Sequence, residues 1–227
     1  MRSFSFFSVF TVLALSVISG LANPVPVAAP EPADSTAISR YLANDTETLE
    51  VRAVQSRGLG NAVIINRCPH DLWAWSVDQN FGSAPIHLKA RTIYREPFRV
   101  PCDGCGVALK VSNTDQLVTG KHTQFEYAIS NNIVYYDISL VDCAQGESAA
   151  NCPGHEMGLR IDSAVRACEP LNCGGGQYCP TQAYYVDTPL AKLGIKEPVL
   201  GCGSAGTGMD VGFKLCSDQP QIVIQGV

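Results

Sequence analysis

Runs of basic residues are missing from this 227-residue chain, in which 16 Lys and Arg stand against 21 Asp and Glu for a formal charge of −5. Nucleic acid and anionic membrane surfaces are recognised through clustered positive charge, so neither is expected as a partner. Beyond the N-terminal segment there is no apolar run long enough to cross a bilayer. Internal repeats, heptads and sustained amphipathic helical periods are also missing, which leaves helix only to short pieces such as "AVRAC" or "TPLAKLG". The four histidines, His70, His87, His122 and His155, show no helical metal spacing, and "HEMGLR" lacks the second His of a zinc-protease motif. No metal and no cofactor is therefore expected. No Ser or Cys sits in a nucleophile elbow with His and acid partners. "GCGSAG" (201–206) has the G-x-G-x-x-G spacing, but it runs into strand-like sequence and reads as a Gly-rich turn rather than a dinucleotide site.

What is present is organised along the chain. "MRSFSFFSVFTVLALSVISGLANP" has an early Arg, an apolar run and small residues around Ala22, the layout of a secretory signal over residues 1–22. Residues 23–57 are rich in Pro, Ala and acids and hold no Cys, which predicts a disordered linker or pro-segment. The sequon at Asn44 falls here, a surface glycosylation site for a secreted chain. Arg57 before Gly58 is a candidate processing point. All 10 cysteines follow, from Cys68 to Cys216, and an even count in a secreted chain reads as five disulfides. "CDGC" (102–105) is then a structural disulfide between Cys102 and Cys105 rather than a metal pair.

From residue 61 onward, short β-type runs alternate with Gly, Pro and Asn: "NAVIIN", "DLWAWSV", "TIYREPFRV", "GVALKVS", "QFEYAI", "IVYYDISLV" and "DVGFKLC". The pattern predicts an all-β sandwich or barrel. Between Cys143 and Cys202 the texture turns to Gly, Cys and polar residues, a lobe that disulfides must hold. The stretch "FEYAISNNIVYYDISLVDCA" is the most informative. A two-residue turn at Asn131-Asn132, where Asn tolerates positive φ, makes a hairpin whose register sets Glu126 opposite Asp137. Like charges opposed at about 5 Å are destabilising, so one acid must be protonated or a cation or ligand must compensate. Paired carboxyls about 5 Å apart suit retaining glycoside hydrolysis, and about 6.5–9.5 Å inverting hydrolysis. They equally suit hydrogen bonds to sugar hydroxyls. A polar-face pair satisfied by Arg or Lys is the other reading. Trp73, Trp75, Tyr135 and Tyr136 are candidates for stacking on sugar rings, but aromatic residues in alternating strands mostly pack in a core, which is the expectation here.

The segment "NAVIINRCPHDLWAWSV" resembles the opening strand and first Cys of thaumatin-like proteins, "CDGCGVALKV" a shortened form of their Cys-Gly stretch, and "FEYAI" with "YYDISLVD" their acidic-cleft segments. "GCGSAGTGMDVGFKLC" is similar to their closing strand. "LWAWSV" and "IYREPFR…GVALKV" resemble the fungal branch typified by Blastomyces yeast-phase-specific and antigenic thaumatin-like proteins. The resemblance implies a thaumatin-like β-sandwich over 58–218 with a disulfide-rich loop lobe, a tail over 219–227, and a Cys68–Cys216 bond. It implies that Glu126, Asp137 and Asp142 line one acidic cleft, with Asp162 as a further acid and Arg95 or Arg99 (Arg91 as a third candidate) as its basic residue. Asp142 has the opposite strand parity to Asp137, and joins them only if the strand ends or bulges first. Cell-wall polysaccharide, a β-1,3-glucan, is the partner so implied, with hydrolysis left open. The competing expectation is a surface antigen, effector or inhibitor that contacts a host or target protein.

Overall fold

The computed structural model describes residues 58–222. The expected signal segment 1–22, the linker 23–57 with Asn44 and Arg57, and tail residues 223–227 lie outside the described residues. Within the described residues, eleven strands build two sheets. They are β1 (Asn61–Asn66), β2 (Leu72–Val77), β3 (Ile86–Leu88), β4 (Thr92–Pro97), β5 (Gly106–Ser112), β6 (His122–Ser130), β7 (Ile133–Ser139), β8 (Leu159–Asp162), β9 (Leu171–Cys173), β10 (Leu200–Gly201) and β11 (Val211–Leu215). One sheet runs β4-β1-β11-β8-β9 and the other β10-β7-β6-β5-β2-β3. Among the described residues, helix is confined to three short 3-10 turns, at His155–Met157, Leu190–Leu193 and Gly203–Ala205.

The period-2 alternation of the sequence sorts side chains between faces. On β5, Val107, Leu109 and Val111 enter the core while Ala108 and Lys110 point away. On β6 and β7 the core takes Phe125, Tyr127, Ile129, Val134, Tyr136 and Ile138. β1 differs because it is apolar on both faces. Ala62 and Ile64 join the central core, while Val63 and Ile65 pack with Ile93 and with Ile222 of the tail. A strand covered on both sides loses its alternation, which is why "NAVIIN" reads as a continuous apolar run.

β1 and β11 pair in parallel, the exception in an otherwise antiparallel sheet, and Cys68–Cys216 ties their ends. Closing a loop of 148 residues restricts the unfolded chain, an effect of about 5 kcal/mol at its upper limit. Cys102–Cys105, Cys143–Cys152, Cys168–Cys202 and Cys173–Cys179 complete the disulfides. The stretch from Cys143 to Cys202 is not only a lobe. Its segments Leu159–Asp162 and Leu171–Cys173 are β8 and β9 of the β1 sheet. Their short length, three or four residues between Gly-rich turns, hides them in the sequence.

Candidate functional site: an acidic face of the six-stranded sheet

The β6–β7 hairpin turns at Asn131 (φ 51°) and Asn132 (φ 58°), both left-handed, as a tight two-residue turn requires. The register places Tyr127 opposite Tyr136 and Glu126 opposite Asp137. Tyr127 and Tyr136 face the core, so the two acids share the opposite, outward face.

Cross-strand pairing lays out that face in rows. One row is Val77, Ala108, Glu126, Asp137. The next is Trp75, Lys110, Gln124, Ser139, continued by a bridge from Ser139 to Tyr184 of the lobe. On the other side Gly106, Ala128 and Tyr135 run beside the acids to Gly201. Ala108, Ala128 and Gly106, which border the carboxyls, carry little or no side chain. The far edge of β7 is shared between two lobe segments: Leu200–Gly201 pairs with Tyr135 and Tyr136, and Tyr184 accepts the Leu140 N–H at 2.8 Å. Asp137 therefore sits where the sheet meets the lobe wall.

Burial is the main force on the acid pair. It pushes the Glu126 carboxyl up to about 7, with Lys110 opposing and Asp142 and Asp187 adding to the rise. Burial also holds Asp137 well above the ordinary carboxylate range, and the facing Glu126 lifts it further. Asp137 Oδ1 is buried with no hydrogen-bond partner among the described residues. Tyr184 in the wall donates its hydroxyl to Glu197, and burial with nearby Glu197, Asp137 and Glu126 keeps that phenol protonated.

Asp142 reaches this face because β7 stops at Ser139 and the chain turns at once, Cys143 and Ala144 donating their N–H groups to Leu140 O at 3.0 and 2.7 Å. Its carboxylate lies 2.5 Å from His122 Nε2 and 3.8 Å from Lys110 Nζ. The His122 ring also reaches Val118 O through Nδ1 at 3.3 Å, and is itself buried. Asp142 is thus an ion-paired member of the cluster, whereas Glu126 and Asp137 have no ion-pair partner among the described residues.

The remaining sequence candidates lie elsewhere. Asp162, on β8 of the other sheet, pairs with Lys214 Nζ and Arg160 Nε, each at 2.7 Å. Arg95 pairs with Asp210 at 2.9 Å on that same sheet. Arg99 is bound to Asp78 and Glu96 and donates to Ser76 Oγ at 2.8 Å, closing the sandwich edge beneath the exposed ring of Phe81. Arg91 holds the carbonyls of Arg67 and Gln221, fastening the tail. The cation whose charge reaches Glu126 is Lys110. It occupies an outward position of "GVALKV", but the long β5–β6 connection gives no turn from which to count its register. Tyr184, Asp187 and Glu197 carry no sequence signal, because the disulfide-held lobe path alone brings them here.

The aromatic residues divide. Tyr136 is in the core, its hydroxyl bonded to Glu169 O. Trp73, Trp75 and Tyr135 instead share the outward face of the acids, Trp73 stacked on His87 with ring centroids 5.1 Å apart. Among the described residues no group of three or more His, Cys, Asp or Glu is arranged to hold a metal ion.

The model of the Blastomyces yeast-phase-specific protein family matches residues 50–216. An antigenic thaumatin-like protein of Arthroderma benhamiae is 30% identical over 133 residues, 58% of this chain and 63% of that protein. The chain thus spans less than two thirds of that relative's length. Of solved structures, the protein elicitor MoHrip2 from Magnaporthe oryzae superposes with a TM-score of 0.49 at 19% identity, covering 69% of this chain and 98% of the other. A thaumatin-like xylanase inhibitor superposes with a TM-score of 0.43 at 10% identity, covering 67% and 97%.

Proposed function

This chain belongs to the Blastomyces yeast-phase-specific protein family, and from that footing we propose that it is a secreted protein that binds cell-wall β-1,3-glucan through the acidic sheet face without cleaving it. The observation that carries the reading is the Glu126–Asp137 pair, opposed on an outward face and bordered by small side chains and the lobe wall. Carboxyls held toward the protonated form both donate and accept hydrogen bonds, the repertoire that sugar hydroxyls match. Hydrolysis asks for a different balance, one acid protonated and its partner ionised at the working pH. Here burial raises both members of the pair, and Asp142 is engaged by His122 and Lys110. Five disulfides suit an oxidising, extracellular compartment. The test incubates the protein with insoluble β-1,3-glucan and measures both retention and reducing-sugar release. Retention without sugar release is the expected result; release would make the protein a hydrolase, and absence of retention would remove the glucan reading.

A second reading has its own observation. Large apolar side chains are exposed on the segments that join this face: Leu117 and Val118 on the loop that His122 holds, and Val186, Leu193 and Val199 on the lobe. Exposed apolar groups around a polar centre also suit contact with another protein. Loss of glucan retention together with retained binding of a protein target would favour it.

A further inference from the structure

Four of the five disulfides are shielded and one is open. Cys68, Cys216, Cys143, Cys152, Cys168, Cys202 and Cys173 are buried. Half-buried Cys179 packs against the core, and the Tyr185 hydroxyl lies 3.4 Å from its sulfur and 3.8 Å from that of Cys173. Cys102 by contrast is exposed and Cys105 half-buried, and neither belongs to a hydrophobic cluster. Thiol–disulfide exchange needs a thiolate to approach a sulfur, so exposure decides which bond an external thiol can attack.

The surroundings of this bond do not depend on it. Its ring spans only Asp103 and Gly104, with Gly104 at φ 72° and the Cys105 N–H donating to Cys102 O at 3.1 Å. The Gly104 N–H is bound to Ile129 O at 3.2 Å, and β5 begins its pairing with β6 directly afterwards, at Gly106 with Ala128. On the other side, Arg99 is fixed by Asp78, Glu96 and the Tyr127 hydroxyl. The two cysteines therefore stay close after the S–S bond opens, and reclosure remains intramolecular and fast.

We propose that Cys102–Cys105 is a reversible redox site, exchanging two electrons with an external dithiol while the other four disulfides and the fold persist. A donor thiolate attacks Sγ of the exposed Cys102, forming a mixed disulfide and releasing Cys105 as a thiolate that takes up a proton. The donor's second thiol then attacks the mixed disulfide, Cys102 leaves and is protonated, and the donor departs as its own disulfide. The protein gains two electrons and two protons, and the dithiol loses them.

The test treats the folded full chain with dithiothreitol, alkylates at timed intervals and maps labelled cysteines by mass spectrometry, with near-UV circular dichroism alongside. Cys102 and Cys105 are expected to label together about tenfold or more faster than any other pair, with the spectrum unchanged and labelling abolished when the reductant is removed and the chain reoxidised. The double variant Cys102→Ser/Cys105→Ser should take no label in that window. Earlier or equal opening of another pair, or labelling only as the spectrum collapses, would overturn the proposal.

Discussion

Glu126 and Asp137 face each other across adjacent strands, and among the described residues neither has an ion-paired cation. His122, on the same strand as Glu126, gives its charge-pairing contact to Asp142 instead. The sheet thus partners one acid and leaves two opposed, a local cost that a folded protein retains at functional sites.

Opposed, buried carboxyls predict an unusual dependence of stability on pH. The Glu126 carboxyl rises from 4.5 to about 7 on folding. Between those values the folded chain holds a proton that the unfolded chain has released, so this contribution is complete below the lower value and is lost as pH rises to the upper one. The unfolding free energy measured in urea across that window should fall with rising pH, by an amount on the order of 1–3 kcal/mol. The variant Glu126→Gln should flatten the slope. An equal slope in both proteins would contradict the assignment.

Lys110 is the charge that restrains this rise. Replacing it by Met keeps the stem and removes the ammonium, so the Glu126 carboxyl should titrate above about 7. Carboxyl-carbon NMR titration of both proteins reads the shift directly. An unchanged or lowered midpoint would place Lys110 outside the site.

The acid pair was legible because it depends on local arithmetic: two Asn in the turn fix the register, and the register fixes which side chains meet. The alternation of "GVALKVS" and "IVYYDIS" similarly marks the sandwich, and "NAVIIN" marks a strand covered on both faces. The resemblance groups Asp162 with the acids, whereas it lies on the other sheet with Lys214 and Arg160. Trp73 and Trp75 look alike in isolation, and only the pairing of β2 with β5 shows that Ala74 faces the central core while both Trp side chains take the other face, where Trp75 is nonetheless buried. The lobe wall of Tyr184, Asp187 and Glu197 depends on contacts distant in sequence, which no periodic pattern encodes.

The disulfides should differ in what they stabilise. Replacing Cys68 and Cys216 by Ala frees a 148-residue loop and should cost about 3–5 kcal/mol. Replacing Cys102 and Cys105 releases a ring closed across a separation of 3 and should cost about 2 kcal/mol or less. Thermal denaturation of the two double variants gives the order, and a larger loss for the second would contradict it.

The central claim is that the opposed acids of β6 and β7 hold the sugar. Its most direct measurement is the fraction of protein retained on insoluble β-1,3-glucan for wild type, Glu126→Ala, Asp137→Ala and the double variant, each confirmed as folded by circular dichroism. Each alanine removes a group that both donates and accepts hydrogen bonds, so retention should weaken by about tenfold per substitution, the effect of about 1.4 kcal/mol from one lost contact. Folded variants that remain on the glucan as wild type does would contradict the claim.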